Sequence, residues 1–251
     1  MIKDNNILSI NFNFIDYESV LAQIFEWKQL SRKEFVTITN PHSVLLCHRD
    51  EKMMQAARKA ALTLPDGTGI IWSANILGYK HKGRVTGPNL MLKICDGGRK
   101  EGLRHFFYGG TEDVIKKLID NLSKQFPGLD VAGTHCPPFT QCITAEDEAI
   151  IDLINTAKPD VVWVGLGAPK QEIWMAEHLG KIDATTMIGV GAAFDFHSGN
   201  IKWAPTIVRK LGFEWLWRLI ENPKRMWRRN LDSPIFLIKV ISQKIKSIAE
   251  H

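Results

Sequence analysis

A chain of 251 residues, 45% hydrophobic and 24% charged, has globular composition and enough apolar material for one sizeable core. It lacks the roughly 18-residue apolar run of a membrane-spanning helix. MIKDNNILSINFNF carries no signal-peptide pattern, so a cytoplasmic protein is expected. The net charge of +5 is concentrated: residues 201–251 hold eleven Lys/Arg against four Asp/Glu, while residues 1–200 sum to −2, so the C-terminal segment predicts an anionic partner.

In chain order, the alternation over 7–13 predicts an edge strand, and residues 16–30 an amphipathic helix. FVTIT (35–39) predicts a buried strand, broken by Asn40-Pro41, with a helix following to about 60. LTLP (62–65) leads into Asp66-Gly67-Thr68-Gly69 and a helix to Leu77. A strand running into a glycine turn is then expected at 105–110, 160–167 and 185–194, and a strand at 129–133. Helices are expected at 111–125, 145–157 and 170–179, the second opening on a Thr144/Asp147 capping pattern. This alternation predicts an α/β protein with a mostly parallel, Rossmann-like sheet flanked by helices, binding its ligand at the carboxyl ends of the strands. Residues 1–200 are expected to form the catalytic domain. Residues 201–251, with Trp203, Trp215, Trp217 and Trp227 among arginines and then PIFLIKVISQKIKSI with Lys239, Lys244 and Lys246, read as a basic helical appendage that lies on a membrane. A C-terminal helix packed on the core with a solvated basic face is the plainer reading of the same segment.

Four segments carry candidate chemistry. Asp66, on a glycine turn at a strand end, reads as a general base facing the crevice or as a helix N-cap. Gly165 and Gly167 precede the helix start Lys170-Gln171-Glu172; such glycines let a backbone approach a phosphate or sugar, or serve packing alone. A dinucleotide fingerprint needs a third glycine where Lys170 stands, and Gly189-Val190-Gly191 fails likewise at Phe194. Arg84 reads as a diphosphate ligand or as a surface ion pair. Asp195 reads as a ribose contact or a structural cap, with His197 a satisfied polar residue. The chain has no Asp-x-Asp motif, and no metal or organic cofactor is expected. The cysteines, Cys47, Cys95, Cys136 and Cys142, lack paired Cys-x-x-Cys spacing and read as free thiols.

Taken together, LPDGTGI (64–70), RVTGPNLM (84–91), FFYGG (106–110), PDVVWVGLGAPKQEIWM (159–175), IGVGAAFDFHSG (188–199), WAP (203–205) and LGFEWLWRLIENPKRMWRR (211–229) resemble the WecG/TagA/CpsF family of inverting bacterial glycosyltransferases, in family order. The resemblance implies transfer of an N-acetylmannosamine-type or related sugar from a UDP-sugar to an undecaprenyl-diphosphate-linked acceptor. It places the work in cell-surface polysaccharide synthesis, at the inner face of the membrane and without a metal. It implies Asp66 as general base, with Asn40, Arg84 and Gln171 as polar site residues. Thr39, Gly109, Gly110, Gly165, Gly167, Glu172 and Asp195 are grouped with them, and Arg218, Arg225 and Arg228 belong to the appendage that closes over the site. Two departures stand out: Ile38 occupies the place of a family threonine, so that Thr37 or Thr39 must substitute, and Trp203 replaces an arginine. No nucleic-acid partner is expected, and homo-oligomerisation is left open. Two other classes compete: a nicotinamide-dependent oxidoreductase, and a non-enzymatic basic adaptor for membrane or nucleic acid.

Overall fold

The computed structural model describes residues 5–137, 145–205, 207–208, 214–221 and 223–249, with the backbone alone at 145–147, 214–215, 218 and 223–231. Thr144 and Cys142, and the side chains of Trp215, Trp227, Arg218, Arg225 and Arg228, therefore lie outside the described residues. The elements in chain order are β1 (Asn6–Ile7), β2 (Ile10–Asn11), α1 (Tyr17–Gln29), β3 (Glu34–Thr39), α2 (Pro41–Cys47), α3 (Glu51–Lys59), β4 (Leu62–Pro65), α4 (Thr68–Leu77), α5 (Gly87–Gly98), β5 (Arg104–Gly109), α6 (Glu112–Gln125), β6 (Asp130–His135), α7 (Ala145–Ala157), β7 (Val161–Gly165), α8 (Lys170–His178), β8 (Thr186–Gly189), α9 (Ala193–His197), α10 (Glu214–Glu221) and α11 (Pro223–Ala249).

Six strands form one parallel sheet in the order β4-β3-β8-β7-β5-β6. All but the edge strand β6 are buried along most of their length because both faces are covered, as all-parallel sheets require. Alternate side chains divide between two cores. Val36, Phe107, Trp163 and Ile188 meet α1, α5, α6 and α9 on one face, and Phe35, Phe106, Val162 and Met187 meet α7 and α8 on the other. After β5 the chain passes to α6 on the first face, and after β7 to α8 on the second. Neighbouring strands thus part in opposite directions, which opens a crevice at their carboxyl ends.

Three expectations are corrected. Residues 7–13 are not an edge strand: the chain reverses at Leu8 (φ 49°) and Ser9 (φ 67°), and β1 pairs only with β2. That two-residue hairpin needs positive φ at both turn positions but lacks the Asn-Gly signature. The helix after Asn40 is two helices, because the Asp50 side chain caps α3 by accepting from Lys52 N and Met53 N. The lysines of α11 do not oppose a single apolar stripe. Phe236 and Val240 are fully buried with Ile7, Ile10, Phe12, Val44 and Ile70, while Ile235, Ile238, Ile241, Ile245 and Ile248 are exposed on the outward side. The segment beyond residue 200 thus shares a core with the hairpin, α2, α3 and α4. The hairpin also clamps it: Leu8 N donates to Gln243 Oε1 (3.0 Å), and Gln243 Nε2 donates to Asn6 O (2.9 Å).

His105, fully buried at the start of β5, accepts from Trp163 Nε1 through Nδ1 (3.2 Å). Burial pushes its pKa down to about 4, against smaller opposing effects of Asp160 and Asp130. The fold therefore prefers the neutral ring. Between the ordinary value of 6.5 and about 4, the unfolded chain binds a proton that the folded chain does not. This contribution is complete above pH 6.5 and is lost as pH falls toward 4. His105→Gln, which keeps an acceptor for the indole but does not titrate, should flatten the acid limb of a denaturant-unfolding pH series by about 3 kcal/mol. Identical pH slopes in the two proteins would contradict this.

Candidate active-site cleft

A cleft of about 1470 Å³ runs along the carboxyl edge of the sheet. Asn40, Asp66, Gly110, Gly165, Gly167, Gln171, Glu172 and Asp195 all line it. Of the expected site residues, Thr39, Gly109 and Arg84 do not line it. Thr39 is buried in a hydroxyl ladder, donating to Thr37 Oγ1 (3.5 Å), which donates to Thr63 Oγ1 (3.2 Å). Gly109 acts behind the wall. At φ +123°, a Cβ there would stand 2.7 Å from the Gly165 carbonyl carbon, so only glycine lets β5 and β7 end this close together.

The β3 and β4 ends bring the candidate chemistry together. Asp66 N donates to Thr39 O (3.0 Å), which sets Asp66 beside Asn40. Asp66 is not the helix cap: that position is Gly67, at φ +82°, with no side-chain cap bond. Asn40 does cap α2, its Oδ1 accepting from Ser43 N (3.0 Å). Val85 N donates to Pro65 O (2.8 Å), so the Arg84 segment runs past the same strand end. Helix N-termini converge here because every parallel strand hands over to its helix at this edge. Gly87 and Pro88 open α5, Lys170 opens α8, and neither helix has a side-chain cap bond. The dipoles of these helix starts favour a negatively charged ligand.

At the β7 and β8 ends, Gln171 Oε1 accepts from Gly167 N (3.1 Å) and from Gly191 N (3.0 Å). Its Nε2 donates to Glu172 Oε1 (2.9 Å). The Gly167 amide, expected to approach a ligand, is thus turned onto a side chain together with that of Gly191. Glu172 is almost wholly buried, and burial pushes its carboxyl above the usual range against the opposing Gln171 hydrogen bond. Asp195 lies in the first turn of α9, whose cap is Ala192, and Asp195 Oδ1 accepts from Asn200 Nδ2 (2.9 Å). His197 is satisfied by Pro88 O (2.8 Å). Trp203 packs at a tilt against Phe196, 4.8 Å between centroids; Phe196 lines the cleft and Trp203 does not.

The sequence did not single out His42, which lines the cleft from the first turn of α2. Its Nδ1 meets Asp232 Oδ2 (2.5 Å), and Arg49 Nη2 meets Asp232 Oδ1 (2.8 Å), fastening α11 beside the cleft. Burial works against the Asp232 carboxylate, but the Arg49 and His42 hydrogen bonds prevail and hold it below the usual range. A buried acid within a basic segment was the available signal. Among the described residues, no cluster of three or more His, Cys, Asp or Glu is placed to hold a metal ion. No helix among them is long and apolar enough to cross a membrane. The three described cysteines are free thiols; Cys47 and Cys95 are buried and Cys136 partly so, and burial pushes the Cys47 thiol up to about 12.

The model of one family, described as "Glycosyl transferase WecG/TagA/CpsF family", matches residues 5–250. Three similar proteins carry the name N-acetylglucosaminyldiphosphoundecaprenol N-acetyl-beta-D-mannosaminyltransferase. The one from Bacillus spizizenii is 29% identical over 86% of this chain and 82% of its own. That from Bacillus subtilis is 27% identical over 96% and 91%, and that from Staphylococcus aureus 29% over 96% and 93%.

Proposed function

Because the chain belongs to the WecG/TagA/CpsF glycosyltransferase family, we propose that it moves an N-acetylmannosamine-type sugar from a UDP-sugar onto N-acetylglucosaminyl-diphospho-undecaprenol, in the synthesis of a cell-surface polysaccharide. The relatives' printed names support this acceptor and sugar. The observation that carries the reading is Asp66 seated beside Asn40 at the edge of a cleft ringed by helix N-termini. Asp66 takes the proton from the acceptor hydroxyl as its oxygen attacks the anomeric carbon. The bond to the UDP oxygen breaks on the opposite face, and the configuration inverts. The diphosphate charge is balanced by N-terminal amides and by Arg84, Arg218, Arg225 and Arg228 rather than by a metal. Asn40 holds the sugar and Asp195 the ribose.

The reaction takes place at the inner leaflet. The outward isoleucines of α11, with Lys239, Lys244 and Lys246 among them, support a helix that lies on anionic lipid. Calorimetric titration in chelator with UDP, UDP-N-acetylglucosamine, UDP-N-acetylmannosamine, UDP-glucose and NAD tests the reading. UDP and one UDP-sugar should bind and NAD should not. No UDP binding, even with lipid and detergent present, would overturn it.

A further inference from the structure

One oxygen joins the two glycine turns of the cleft. Gln171 Oε1 takes the amide protons of Gly167 and Gly191, which follow neighbouring strands β7 and β8. Both of its lone pairs are thereby used. The Gln171 backbone N also donates to Gly167 O (3.0 Å), so the first turn of α8 holds the β7 turn from both sides. The side chain is 4% exposed and its Nε2 is spent on Glu172. A residue so placed has little left to offer a sugar or a base.

Glu172 is the stranger feature. It is 2% exposed, and its Oε2 is buried without a hydrogen-bond partner. An acid in such a place is unfavourable unless its other oxygen has a task. The hydrogen bond that Oε1 makes is to Gln171 Nε2. That contact fixes the plane of the Gln171 amide and keeps its oxygen, not its nitrogen, toward the two glycine donors.

We propose that Gln171 and Glu172 are positioning residues: a two-residue brace in which Glu172 orients the Gln171 amide and Gln171 sets the spacing of the Gly167 and Gly191 turns. Its catalytic consequence rests on the glycosyltransferase reading above. The brace consumes both glycine N–H groups, so a diphosphate in the cleft is met by helix N-termini and cationic side chains and not by these two turns. Catalysis feels the brace because misplacing a cleft wall by about 1 Å costs on the order of a hundredfold in rate.

The test uses the full-length protein and five forms: wild type, Q171M, E172M, E172Q and the swap Q171E/E172Q. In E172Q the new amide still accepts from Gln171. In the swap, the carboxylate introduced at position 171 accepts both glycine protons and the amide introduced at position 172 donates to it. All three hydrogen bonds thus return, and only the one between residues 171 and 172 changes direction. Two readouts are taken: amide hydrogen exchange at Gly167 and Gly191 by NMR, and kcat and KM for sugar transfer to a lipid-diphosphate acceptor.

Q171M should speed exchange at both amides together, on the order of a hundredfold, and E172M roughly tenfold. E172Q and the swap should stay within about threefold of wild type, and kcat should fall in the same order as protection is lost. Wild-type protection of either amide in Q171M, equal behaviour of E172M and E172Q, or a swap as exposed as Q171M would overturn the brace. If Q171M does not fold, the two Glu172 variants and the swap decide. If wild type transfers no sugar, the enzymatic reading fails while the exchange data still judge the brace.

Discussion

Asp66→Asn should lower the rate of sugar transfer by on the order of 10²–10⁴-fold, the usual contribution of a positioned general base. UDP affinity should change little. Asparagine has nearly the shape of aspartate, and the backbone that places residue 66 is fixed independently of its side chain. Its N–H is held by Thr39 O, the following Gly67 supplies the positive φ, and Val85 N closes on Pro65 O behind it. The variant should therefore fold, bind nucleotide and fail at the proton-transfer step. Steady-state kinetics beside UDP calorimetry checks this. Wild-type turnover would move the base elsewhere, and loss of UDP binding together with turnover would make Asp66 a binding residue.

The double substitution Ile238→Glu/Ile245→Glu should reduce partition onto anionic vesicles by on the order of 10²–10³-fold, since each isoleucine buried in lipid contributes about 2 kcal/mol. The two side chains are 67% and 62% exposed, so the folded protein loses no packing with them. The inward pair, Phe236 and Val240, is untouched. Thermal stability and UDP binding should stay at wild-type values while co-sedimentation with phosphatidylserine-containing vesicles is lost. Unchanged co-sedimentation would remove α11 as the lipid-facing element.

Runs of apolar and β-branched residues made β3, β7 and β8 readable, because a strand covered on both faces has no charged, solvated alternate positions. Asp66 and Asn40 were readable for a related reason: in a parallel α/β sheet, a polar residue just past a strand end is already at the ligand edge. What stayed hidden depends on pairs distant in sequence. Nothing local to Gln171 announces that one oxygen will serve amides at 167 and 191, or that a buried glutamate will hold its nitrogen. His42 and Asp232 are 190 positions apart. The Leu8-Ser9 reversal was invisible for the opposite reason. Its residues alternate as a strand does and lack the Asn-Gly signature, and the docked α11 contributes to holding the hairpin.

The clamp between the hairpin and α11 also bears on how the chain is made. Ile7, Ile10 and Phe12 leave the ribosome ahead of the rest of their core, and Phe236 and Val240, which pack with them, are added more than 220 residues later. At about 5–20 residues per second, that apolar surface waits on the order of ten seconds or more for its cover. The sheet has all its strands by residue 189, well before that cover arrives. The nascent protein therefore holds all six sheet strands while this apolar flank is still open, and the hairpin is covered late.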